Sequence, residues 1–129
     1  MRRAFGPPAS ERLIEDGFVC VFGWPSIGVT ARLVAFGSAE YPCGSEGTFV
    51  EARLTDSRWH TASGVHPGGP KRAARKAALR RCIQRTCGIY GYALELHRTV
   101  CASTLSAGVI AHVRGHRVAS LIVRWRSCE

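Results

Sequence analysis

Apolar residues fall in short runs bounded by turn residues along most of this chain, and recur at long helical spacing in only one place. Phe18-Val19-Cys20-Val21-Phe22 is aromatic and β-branched, is bounded by Gly17 and Gly23, and predicts a first strand. Before it, Ser10 is placed to cap a short turn through Glu11, Arg12, Leu13 and Ile14, ended by Asp16-Gly17. Gly23-Trp24-Pro25-Ser26 predicts a turn, and Val29 to Phe36 a second strand. Gly37 to Gly47, with Pro42 and Cys43, reads as a loop. In Thr48-Phe49-Val50-Glu51-Ala52-Arg53-Leu54, Phe49 and Glu51 alternate with Val50 and Ala52, the pattern of a strand with one buried face. Asp56-Ser57 turns the chain, and Arg58-Trp59-His60-Thr61 predicts a short fourth strand. Gly88 to Leu96 predicts a further strand, and Gly108–Val113 with Val118–Trp125 a last hairpin around Arg114-Gly115-His116-Arg117.

The helical spacing lies in residues 68–85. Gly69 suits the N-cap and Pro70 the first helical position, where its missing N–H costs nothing. The Ala, Leu, Arg and Lys that follow are strong helix formers. At ~100° per residue, Ala78, Leu79, Cys82, Ile83 and Thr86 gather on one side and Lys76, Arg80, Arg81, Gln84 and Arg85 on the other. The segment holds seven basic residues, Lys71, Arg72, Arg75, Lys76, Arg80, Arg81 and Arg85, and no acidic one. Like charges so close repel one another, so the array costs stability unless an anion neutralises it. Free N–H groups at the helix start, beside Lys71, Arg72 and Arg75, would favour phosphate. Tyr90 and Tyr92 follow closely and can stack on bases.

The element order predicts an α+β fold, an antiparallel β-sheet packed against one long basic helix, with a C-terminal β-hairpin. Residues 1–9 read as a flexible basic arm and 10–129 as a single nucleic-acid-binding domain, which 129 residues with 46% apolar content can support. The formal charge of +9 points to polyanionic partners, nucleic acid before an anionic membrane surface. No segment approaches the ~20 apolar residues that span a bilayer, so no membrane partner is expected. Six cysteines are present, but the opening Met1-Arg2-Arg3-Ala4-Phe5-Gly6-Pro7-Pro8 has no apolar run behind it. The expectation is an intracellular protein, cytoplasmic or nuclear, with reduced and mostly buried thiols.

Two family resemblances arise from these residues. Thr48 to Asp56, Trp59-His60, Ala78-Leu79-Arg80-Arg81-Cys82-Ile83 and Gly88-Ile89-Tyr90-Gly91-Tyr92-Ala93-Leu94 together resemble Rad fifty-two-type single-strand annealing proteins over residues 48–96. That resemblance implies that Arg80 and Arg81 hold a single-strand backbone in a groove, that complementary strands are paired in recombination, and that the protein is a homo-oligomer. Lys71-Arg72-Ala73-Ala74-Arg75-Lys76-Ala77-Ala78 also resembles the last helix of double-stranded-RNA-binding domains. There it implies phosphate contacts by Lys71, Arg72 and Arg75. The annealing family carries an aromatic just before the Gly that ends its helix, where this chain has Thr86-Cys87; the RNA-binding family opens with a helix, where this chain opens mostly with strands.

Cys82, Cys87, His97 and Cys101 give the spacing C-x4-C-x9-H-x3-C, which superficially suits zinc. Cys82 falls on the apolar face of the expected helix and Cys87 beyond its end, so the cysteines read as buried thiols and no metal or other cofactor is expected. The nine acidic residues are scattered without paired carboxylates for metal-dependent nuclease chemistry, and no GxxxxGK phosphate loop occurs. The chain therefore reads as a non-enzymatic, largely sequence-independent binder of DNA or RNA through Lys71, Arg72, Arg75, Lys76, Arg80, Arg81, Arg85, Tyr90 and Tyr92, with Arg114, Arg117, Arg124 and Arg126 available to widen the track. A structural or assembly protein, its basic helix packed on an acidic partner, is the competing class.

Overall fold

The computed structural model describes residues 5–35, 41–44, 47–98 and 105–124. The chain divides into two compact units, residues 1–52 and 53–129.

The first unit is built on strand alternation. Ser10–Ile14 (β1), Val19–Trp24 (β2) and Val29–Val34 (β3) form an antiparallel meander, with Thr48–Leu54 (β4) next to β3 and its last two residues beyond the division. Cys20, Phe22 and Trp24 on β2 stand opposite Leu33, Ala31 and Val29 on β3, and all six are buried. Pairing large Phe22 with small Ala31 lets the two rows interdigitate at interior density. Trp24 donates its indole N–H to the Gly6 carbonyl at 3.1 Å, and Phe5 lies edge-on against its ring at 5.6 Å. Cys20 is disulfide-bonded to Cys43. The segment expected to be a capped turn at Ser10 is instead β1. Almost all of its side chains are exposed, so its apolar pattern carries no strand signal; the backbone ladder to β2 recruits it.

In the second unit the strand order is β8-β7-β6-β5, all antiparallel, from Arg117–Arg124 (β8), Leu105–Arg114 (β7), Gly91–Arg98 (β6) and Arg80–Cys82 (β5). β7 and β8 make a hairpin closed by Gly115-His116, Gly115 supplying the positive φ of 61° that such a tight turn needs. Residues 58–61, read as a strand, form none; Asp56 instead accepts the Arg58 N–H at 2.9 Å and turns the chain.

The expected sheet covered by one long basic helix is overturned. Eight strands dominate, and the longest helix among the described residues is Lys71–Ala77 (α1), seven residues long. Ala78 turns to extended backbone (φ −65°, ψ 134°), and the Leu79 N–H donates to the Ala93 carbonyl at 2.8 Å. From there Arg80, Arg81 and Cys82 pair with Ala93, Tyr92 and Gly91 as an edge strand. A further single turn, Gln84–Cys87 (α2), is closed by Gly88 at φ 71°, the left-handed position that favours glycine after a helix. Helix propensity favoured continuity through residue 85. Pairing with β6 instead keeps Arg80 and Arg81 exposed and buries Cys82.

The core of this unit has two sides. Ala74 of α1, fully buried, packs with Val65, Tyr92, Leu94, Ala111, Val118 and Leu121 on one face of the sheet. Cys82, Cys87, Ala93, Ile110 and Ile122 cluster on the other. There Cys82 and Cys87 are disulfide-bonded. The expectation of reduced thiols thus fails at four of the six cysteines; Cys101 and Cys128 lie outside the described residues.

Candidate nucleic-acid interface

The start of α1 is fastened to the tip of the β7–β8 hairpin. Gly68 N–H donates to Val118 O (2.8 Å), Val118 N–H to Gly69 O (2.9 Å) and Lys71 N–H to His116 O (2.8 Å). The Arg117 guanidinium donates to the Gly68 carbonyl at 2.9 Å. The Lys71 N–H, one of the donors expected to be free for phosphate, is therefore already occupied.

What forms instead is a groove between α1 and β5. One hollow of about 480 Å³ is lined by Lys71, Arg75, Ala78, Leu79, Arg80, Arg81 and Tyr92. A second, of about 200 Å³, adjoins it and shares Lys71, Arg81 and Tyr92; Cys82, Tyr90, Gly91, Val113 and Gly115 complete it. Two cations come from the helix and two from the edge strand, so the break at Ala78 is what turns the run back on itself and brings them to one groove. Among the described residues, no carboxylate is ion-paired with any of the four; Arg32 pairs with Glu15, and Arg58 with Asp56. Tyr92 is buried and floors the groove with its ring in the core, while Tyr90 is 60% exposed at the rim and Leu79 63% exposed.

The nine residues picked from sequence thus separate. Lys71, Arg75, Arg80, Arg81, Tyr90 and Tyr92 meet at the groove. Arg72, Lys76 and Arg85 are exposed but line neither hollow. Of the residues expected to widen the track, Arg117 is tied to Gly68, and Arg124 donates to the Cys87 carbonyl. Arg114 is exposed beside the hairpin turn, and Arg126 lies outside the described residues. Sequence reasoning missed Ala78, Leu79, Cys82, Gly91, Val113 and Gly115, and had placed Leu79 on the apolar side of the helix.

The second unit also concentrates the charge. It holds 14 of the 18 basic residues and 3 of the 9 acidic ones, giving +11, while residues 1–52 hold 4 and 6, giving −2. The net positive charge of the chain therefore resides wholly in the second unit.

The four described cysteines are not available as metal ligands. Cys82 and Cys87 are bonded to each other, and the cluster of Glu11, Cys20 and Cys43 has both sulfurs in a disulfide, so neither offers the thiolate a metal requires. Among the described residues no helix is long and apolar enough to cross a membrane. No family model matches this chain, and no curated protein or solved structure is similar to it. The functional reading therefore rests on the groove.

Proposed function

We propose that residues 53–129 bind the sugar-phosphate backbone of nucleic acid in the groove between α1 and β5, without enzymatic chemistry and largely without sequence preference. The observation that carries this reading is the convergence of Lys71, Arg75, Arg80 and Arg81 on one groove with no described carboxylate paired to them. Arg offers phosphate two parallel hydrogen bonds where Lys offers a point charge, so three Arg and one Lys make a site suited to phosphodiesters.

A labelled oligonucleotide titrated over a range of salt tests it. Four neutralised phosphates give a slope of log affinity against log salt near −3, at ~0.7 per phosphate on a single strand. Arg80→Glu with Arg81→Glu, two exposed positions on an edge strand, should leave the circular dichroism spectrum unchanged. It should lower affinity at least about tenfold and reduce the slope by ~1.4. Undiminished affinity in that double variant excludes the groove. Binding of an acidic peptide as tight as that of the oligonucleotide would move the protein to the assembly class.

A further inference from the structure

The two hollows of the groove differ in chemistry. The larger carries Arg75 and Arg80 in addition to the shared cations, with Ala78 and Leu79 between them. The smaller adds no charge of its own: beyond Lys71 and Arg81 its walls are Tyr90, Tyr92, Cys82, Val113 and two glycines, Gly91 and Gly115. A hollow walled by tyrosines and glycines, whose cations are Lys71 and Arg81 alone, therefore adjoins one that carries these two and Arg75 and Arg80 as well.

Resting on the reading above, we infer that the smaller hollow receives an unpaired nucleobase, so that the ligand of this groove is single-stranded nucleic acid. A nucleotide is a flat, uncharged ring joined through one sugar to an anion, and the adjoining hollows present that pairing of surfaces in the same order. A sulfated polysaccharide or an acidic peptide has the anions but no planar ring, and would leave the smaller hollow unused. A base within a duplex has both faces stacked and its edge paired, and must be unstacked and unpaired before it can enter. Tyr90 supplies the face for stacking, because its side chain is largely exposed while Tyr92 is held in the core. The Val113 N–H donates to the Tyr90 carbonyl at 3.4 Å, which ties the tyrosine to β7.

Four probes test this on the full chain at one salt concentration: a labelled single strand, the same strand made abasic, a duplex of equal length, and a nucleoside monophosphate. The single strand should bind about 5- to 150-fold more tightly than the abasic strand, the range for one stacked base, and more tightly than the duplex. Tyr90→Ala should remove that difference and Tyr90→Phe keep it, neither altering the salt slope. If all three strands bind alike and Tyr90→Ala changes nothing, the base hollow is refuted while backbone binding stands. If the monophosphate binds as tightly as the strand, free nucleotide is the ligand and the strand assignment is overturned. If no strand binds with a dependence on salt, the proposed function itself falls.

Discussion

At the scale of single residues, His112 is the least comfortable group in the second unit. It stands on β7 opposite Ser120 of β8, and its Nδ1 is buried without a hydrogen-bond partner. Ser120 is itself buried and accepts from the Arg53 guanidinium at 3.4 Å. Burial, then the positive charges of Arg53 and Arg114, hold the imidazole below its ordinary value of 6.5. In the unfolded chain the same group takes up a proton near 6.5, so below that pH the unfolded state binds more protons and stability falls until the folded group also protonates. Thermal unfolding followed at pH 7.5 and 5.5 should therefore show a loss on acidification that His112→Gln reduces. An equal loss in the variant would assign the acid sensitivity to other groups. Exposed Leu79 makes the opposite point: its apolar side chain was read as core, yet it faces the groove because the backbone around it is extended.

At the scale of elements, the decisive event is the end of α1 at Ala77. A helix continued to residue 85 would spread Arg80, Arg81 and Arg85 along a rod; the turn at Ala78 and the ladder of β5 on β6 fold the run back. The first residue of β6, Gly91, in turn lets that strand lie close against β7. A Cβ at Gly91 would overlap the carbonyl of Ala111, a backbone atom that cannot step aside. Gly91→Ala should therefore destabilise the protein by about 1–3 kcal/mol, as over-packed interiors do, measurable by denaturant unfolding. Because Tyr90 and Tyr92 flank this residue, the variant should also weaken oligonucleotide binding under conditions where it remains folded. Normal stability in Gly91→Ala would show that β6 and β7 can separate to admit a methyl group.

At the scale of the whole molecule, charge is distributed unequally between the two units, while each unit has a disulfide of its own. The net positive charge resides in residues 53–129, whereas the Cys20–Cys43 disulfide belongs to residues 1–52. That bond joins residues 23 apart in sequence, and a loop of this size restricts the unfolded chain by about 3 kcal/mol. Cys20→Ala with Cys43→Ala should lower unfolding free energy by about that amount and leave the oligonucleotide affinity of the folded protein unchanged. A coupled loss of affinity would mean that the first unit contributes to binding. Disulfides persist in oxidising surroundings, so the argument for an intracellular setting from reduced thiols no longer holds once four of them are paired.

Sequence alone determined what depends on neighbours a few residues away. The aromatic and β-branched run Phe18 to Phe22, bounded by Gly17 and Gly23, and the run that begins at Val29 placed two strands because residue type and flanking turn residues are local properties. The glycine-bearing turn at Arg114-Gly115-His116-Arg117 placed the hairpin, and the basic run from Lys71 to Arg81 supplied the cations of the groove. Tertiary structure decided the rest. Ala78 and Leu79 have high helix propensity, but backbone groups of β6, distant in the chain, offered their hydrogen bonds to an extended partner instead. The pairing of cysteines was equally hidden, since spacing does not say which sulfurs meet. The groove exists because one covalently continuous basic run is bent against a strand that lies after it in the sequence, a contact that no local pattern encodes.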